Sequence, residues 1–225
     1  RRGSECAHRR RGRGGRGDRG VMLWVAVATG GGLTHRTTRE PMPAREVERP
    51  LVLPAGWTVL RGDAGVDGVG VSGRWSVTQG LELSATGATG LPWSVGGAVQ
   101  LGRGEAPARS AALGLRWTPP TVEEGHVLWT EAAARSQWGG LRGTIAPGAG
   151  VYADGGWTAG IGARGECLLQ AGPLGGLFEG DGRWTSGGWL WDWRAEGFVQ
   201  LNRAVRVGVG ASRRRSIAAS LELAL

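Results

Sequence analysis

A chain of 225 residues with a net charge of +8 has room for one substantial domain or one barrel, and its charge at first suggests nucleic acid. The distribution of that charge excludes such a partner. Residues 1–50 hold twelve arginines against five acids (+7) and residues 51–225 hold fifteen against fourteen (+1), so the body of the chain lacks the one-signed patch that a phosphate footprint needs.

All 27 basic residues are Arg, and twelve Trp stand against two Phe and one Tyr, which reads as a strongly GC-biased coding background. Residues 1–20, with eight arginines, fit an over-extended reading frame. Residues 1–33 as a whole read as a basic leader with a signal peptide. Arginines precede the apolar run Val21 to Ala28, too short to span a membrane as a helix, and Ala26-Val27-Ala28 supplies the small-residue site. If Met22 is the initiator, the basic flank is lost. Residues 34–56 carry charge and proline without periodicity and predict a polar linker that is unstructured and mobile.

From Trp57 to Leu225 the chain breaks into about twelve alternating segments parted by turn-forming clusters. The clearest is Trp189 to Leu201. Trp189, Trp191, Trp193, Ala195, Gly197, Val199 and Leu201 take one side, and Asp192, Arg194, Glu196 and Gln200 share the other with Leu190 and Phe198. Period two means strand. Thirteen residues at about 3.4 Å each reach roughly 44 Å, beyond the usual strand of a soluble sheet. A side with three tryptophans and no charge suits lipid, and the charged side suits an interior.

Once the apolar residues fix the face of every segment, the charges fall opposite. Arg61, Arg74, Arg116, Arg135, Arg142, Arg164, Arg183, Arg194 and Arg206 share the inner side with Asp63, Glu82, Glu131, Glu166, Glu179, Asp181, Asp192, Glu196 and Glu222, nine of each sign. Arg at mid-bilayer on the lipid side would cost about 2–4 kcal/mol, and no strand requires it. Tryptophan prefers the membrane interface, and Trp75, Trp93, Trp117, Trp157, Trp184 and Trp189 all fall at strand ends. With the N-terminus in the periplasm, Trp75 belongs to the periplasmic girdle and the other five to the outer one.

Arg49-Pro50-Leu51-Val52-Leu53-Pro54-Ala55-Gly56 resembles the short segment that stands before the first strand in porin-like bacterial outer-membrane β-barrel proteins of high-GC Gram-negative type, and the alternating pattern from Trp57 to Leu225 carries the wider likeness. Ile217 to Leu225 resembles the C-terminal strand by which such barrels are recognised for assembly, with Leu225 where the family usually has an aromatic. The resemblance implies a closed antiparallel all-β transmembrane barrel, outer-membrane lipid and the barrel-assembly machinery as partners, and small solutes as cargo.

Other signals carry less. Gly68 to Gly73 and Gly160 to Gly165 match the dinucleotide-binding glycine spacing but lack the helix it needs, and Arg16-Gly17-Asp18 and Arg61-Gly62-Asp63 are adhesion tripeptides by letter only. Cys6 and Cys167 make no disulfide framework, and His8, His35 and His126 are too scattered for a metal site. Ser110 and Ser136 are nucleophile candidates for a lipase-like pair with His126 by name alone. No enzyme activity, cofactor or nucleic-acid partner is expected. Arg213-Arg214-Arg215, in the last loop, is either solvated or pairs with phosphates of surface glycolipid.

The reading of function is a narrow, weakly selective passive pore. A charge-plugged structural or interaction barrel, a soluble ligand-binding β-barrel of the avidin or lipocalin kind, and an unfolded frame stand beside it. A soluble barrel would turn its apolar side inward and its charges outward.

Overall fold

The structure, a computed structural model, describes residues 41–101, 109–120, 126–153, 156–213 and 215–225. The leader at 1–33, the first part of the linker, Cys6, His8, His35, Glu123, Glu124 and Arg214 lie outside the described residues.

Twelve antiparallel strands follow one another: β1 Thr58–Gly65, β2 Gly68–Thr78, β3 Leu81–Ala88, β4 Leu91–Gln100, β5 Arg109–Thr118, β6 His126–Trp138, β7 Leu141–Ala153, β8 Trp157–Ala171, β9 Leu174–Thr185, β10 Gly188–Gln200, β11 Val205–Ser212 and β12 Arg215–Ala224. Each pairs with its sequence neighbours, and β12 closes on β1. The closing register sets Arg61 opposite Glu222 and Gly65 opposite Ala218. Closure leaves no open strand edge, which lipid demands of a spanning sheet. An even number of strands also brings both ends of the barrel sequence to one rim, here called proximal; the opposite rim is distal.

Tight turns follow from local composition. The β6–β7 hairpin turns on Gly139-Gly140, and Gly139 has φ +58°, the left-handed conformation that a two-residue hairpin requires of its central position.

The inside-out pattern holds strand by strand. Ile161 is 62% exposed and Leu221 46%, while their chain neighbours Gly160 and Glu222 on the opposite parity are buried; on β11 Val209 is 60% exposed and Arg206, of opposite parity, is buried. Exposed apolar residues on the outside and buried charge on the inside are the reverse of a soluble ligand-binding barrel.

One segment departs from the expected linker. Met42, Val47, Val52, Leu53 and Ala55 are all buried, and Glu46–Glu48 forms a single 3-10 turn. Residues 42–55 therefore do not run free ahead of β1. They pack inside the barrel wall, as their contacts show.

Candidate pore and its occluded end

Alternation fixes which side chains can meet across the lumen, and the ion pairs that skip strands show it. Arg61 on β1 reaches Glu196 on β10 at 2.5 Å although β12 and β11 lie between them in the sheet. Arg194 returns the contact to Asp63 at 2.9 Å, and Arg164 on β8 crosses β7 to Glu131 on β6 at 2.5 Å. Arg135 and Arg142 share Glu166 at 3.3 and 2.9 Å. Arg206 pairs with Glu222 at 2.8 Å, Arg74 with Glu82 at 2.6 Å and Arg183 with Asp181 at 2.5 Å. Asp192 accepts the backbone N–H of Trp193 at 2.8 Å. Arg116 and Glu179 are the members of the expected inner set with no ion pair or hydrogen bond among the described residues. Low dielectric makes an unpaired charge costly, so dense pairing is what permits eighteen charges to share one lumen.

The proximal end of the lumen is filled by residues 42–55, and the wall reads this segment chiefly through its backbone. Gln200 on β10 donates to the Ala44 carbonyl at 2.9 Å and accepts the Glu46 N–H at 3.0 Å. Gln170 on β8 accepts the Val47 N–H at 3.0 Å and donates to the Gln200 side chain at 2.7 Å. Arg142 on β7 donates to the Glu46 carbonyl at 2.5 Å, Arg135 on β6 to the Arg49 carbonyl at 2.9 Å and Arg74 on β2 to the Leu51 carbonyl at 2.6 Å. Glu82 on β3 accepts the Leu53 N–H at 2.8 Å. A segment without a sheet partner thus has its polar backbone satisfied by inward side chains.

Two apolar contacts and one charged knot fix the segment further. Val47 packs on the inward Leu168, Leu177 and Phe198, and Met42 and Leu53 pack with Val59, Ala224 and Trp57. Arg49 lies between Glu222 at 2.5 Å and its own neighbour Glu46 at 2.7 Å.

Side-chain exposure then grades along the lumen. Arg142 (4%), Arg206 (5%) and Arg49 (7%) are shut off at the proximal end, whereas Arg164 (38%), Arg194 (30%) and Arg183 (28%) meet water further toward the distal rim. Arg74, beside β3, is the proximal exception at 40%. The lumen is also lopsided. On the distal half most charges stand on β5, β6, β8, β9 and β10, with Asp63 of β1 held by Arg194, while β2, β3, β4 and β12 turn Gly70, Ser72, Ser84, Ser94, Gly96 and Ala218 inward. Small residues on one wall leave free section opposite the arginines of the other.

Trp129 is the inner residue that alternation did not expose. It sits on β6 with the parity of Glu131, is 5% exposed, and carries the Arg183 guanidinium 5.0 Å over its ring. Its place is cleared by two glycines of β7, because a Cβ at Gly148 would stand 2.6 Å from the indole nitrogen and one at Gly150 would also strike the ring. Glycines at alternate positions on the strand beside an inward Trp were the available signal.

The girdle tryptophans face outward at the ends of their strands. Trp157 is 79% exposed, and Trp93 meets Trp117 edge-on at 5.3 Å, with His126 stacked on Trp117. Trp184 and Trp189 are exposed in register with each other at the distal rim, and Trp75 lies in register with Thr58 at the proximal rim. Trp138, exposed at the proximal end of β6, adds a second proximal ring that the sequence reading had not assigned. Arg213 donates to the Trp191 carbonyl and lies 4.5 Å over the Trp191 ring, so this arginine of the Arg213–Arg215 run is held by the barrel.

No protein-family model matches the chain, and no curated protein matches it. Among solved structures, the chain is similar to the NanC porin with a TM-score of 0.54 at 10% identity, over 74% of this chain and 97% of that one. An outer membrane channel from Pseudomonas putida F1 aligns with a TM-score of 0.48 at 11% identity, over 77% of this chain and 96% of the other. At 10% identity the likeness to the NanC porin is one of fold, and the fold is that of a porin-like outer-membrane β-barrel.

Proposed function

We propose that this barrel resides in a bacterial outer membrane, reached through the leader at 1–33, and acts without catalysis as a narrow, weakly selective passive pore for small solutes. The observation that carries the reading is the lopsided distal half of the lumen, where Gly70, Ser72, Ser84, Ser94 and Gly96 face water-exposed Arg164, Arg183 and Arg194. Nine positive and nine negative inner side chains on the wall leave no fixed excess of either sign, which predicts little preference between anions and cations. The solved structure that shares the fold is described as a porin, which agrees with this use. Surrounding lipid meets the outward tryptophans at both rims, and the assembly machinery would engage β12.

Purified full-length protein in a planar bilayer tests the proposal. Small, stable conductance steps with near-unity selectivity are expected, and an electrically silent but inserted barrel would sink it. The second reading, a plugged structural barrel, is favoured by one observation, the seating of residues 42–55 across the proximal lumen. Silence in the bilayer is its signature.

A further inference from the structure

We propose that the distal lumen holds a binding site for a small organic carboxylate, built on Arg116 and completed by Arg164, Arg183 and Trp129. Arg116 stands on β5 directly in register with Trp129 of β6, so the two side chains are inward neighbours. Arg183 reaches the same indole from β9 and lies 5.0 Å over its ring. Glu131, two residues along from Trp129 on the same face, holds Arg164 at 2.5 Å. One guanidinium thus lies on the indole, a second is its register neighbour, and a third is held two residues along the same face.

Their partners do not balance. Glu131 is taken by Arg164 and Asp181 by Arg183 at 2.5 Å, and these four are the charged neighbours of Arg116. Among the described residues Arg116 has no carboxylate at ion-pair distance. Arg116 therefore stands without an ion pair in the part of the lumen where Arg164 and Arg183 keep 38% and 28% of their side-chain surface in water. A free, planar guanidinium fork matches a carboxylate in shape, with two parallel N–H···O bonds. The neighbourhood is also preorganised, since Arg183 is held by Asp181 and the indole, and the indole rests where Gly148 and Gly150 leave room for it.

This site names a solute class for the proposed pore and rests on that reading for its use in transport, but its occupancy does not require conduction. The test is saturation-transfer NMR on the full-length protein in detergent micelles, with benzoate, benzylammonium and phenyl phosphate as matched probes. Saturation should pass to benzoate, and Arg116→Gln should weaken benzoate binding about tenfold, the loss of one charge-assisted hydrogen bond. Arg116→Lys, which keeps the charge and loses the fork, should fall between the two, and it carries the comparison if the Gln variant does not fold. Glu179→Gln, which removes a carboxylate lying two residues from Asp181 on the inward face of β9, should strengthen benzoate binding. Equal transfer to benzoate in wild type and both Arg116 variants, or benzylammonium binding as strong as that of benzoate, would overturn the site. Tighter Arg116-dependent binding of phenyl phosphate than of benzoate would overturn the carboxylate assignment. Arg116-dependent benzoate binding by a barrel silent in bilayers would keep the site and remove the pore; conduction without such binding would do the reverse.

Discussion

Val99 and Ala98 are adjacent on β4, and the fold gives them opposite surroundings: Val99 is 49% exposed on the outer face, while Ala98 shares the inner parity of Gly96. Val99, one residue from the proximal end of β4, lies nearer the rim than the midplane, so Val99→Arg should cost less than the about 2–4 kcal/mol of mid-bilayer but more than Ala98→Arg, as measured by urea unfolding in lipid vesicles. Equal costs would mean that the two faces are misassigned. Gly162 shares the inner parity as well, but it is no place for Arg, because a Cβ there would meet the Gly182 carbonyl. That limit is invisible in the sequence, since it comes from a β8–β9 approach and not from periodicity. Trp129 was hidden for a related reason. Tryptophan as a residue type points to the interface, and the two glycines that let it lie inward are on the next strand. The alternation of charged with apolar positions was legible because period two sorts side chains without any knowledge of neighbours.

At the scale of elements, β12 has two partners, and losing it opens the sheet on both sides. Its register with β1 runs from Val59↔Ala224 to Gly65↔Ala218, and with β11 from Val205↔Leu223 to Ser212↔Arg215. Removing residues 217–225 should leave β1 and β11 as unpaired edges in lipid and prevent stable insertion, read as loss of the heat-modifiable folded band and of membrane-extracted protein. Normal membrane levels of the shortened chain would contradict this. The division into about twelve alternating segments was readable in the sequence, most closely in Trp189 to Leu201 against Gly188–Gln200. The segment at 42–55 was not, because it has no period and its partners are remote in the chain: Val47 and Gln170 are 123 positions apart. A stretch of mixed charge and proline looks the same whether it is solvated or held by glutamines from two distant strands.

For the molecule as a whole, the seated segment shuts the proximal lumen, while Arg164, Arg183 and Arg194 meet water further toward the distal rim. Loosening the seat should therefore change the current more than it changes the wall. Gln170→Ala with Gln200→Ala removes the side chains that hold the backbone of residues 44, 46 and 47, each hydrogen bond being worth about 0.5–1.5 kcal/mol. The double variant should show larger and noisier conductance steps than the wild type in the planar bilayer, with unchanged circular dichroism. Identical steps would show that the segment does not limit flow. The seat has one further consequence, for the order of assembly. Its contacts come from β2, β3, β6, β7, β8, β10 and β12, strands that surround the segment only after β12 has met β1. On an open sheet those side chains are spread along a ribbon and offer the segment no cavity. Contacts so distant in sequence form late, and here they wait on a single event, so the chain is inserted as an open tube and stoppered from within as its seam closes.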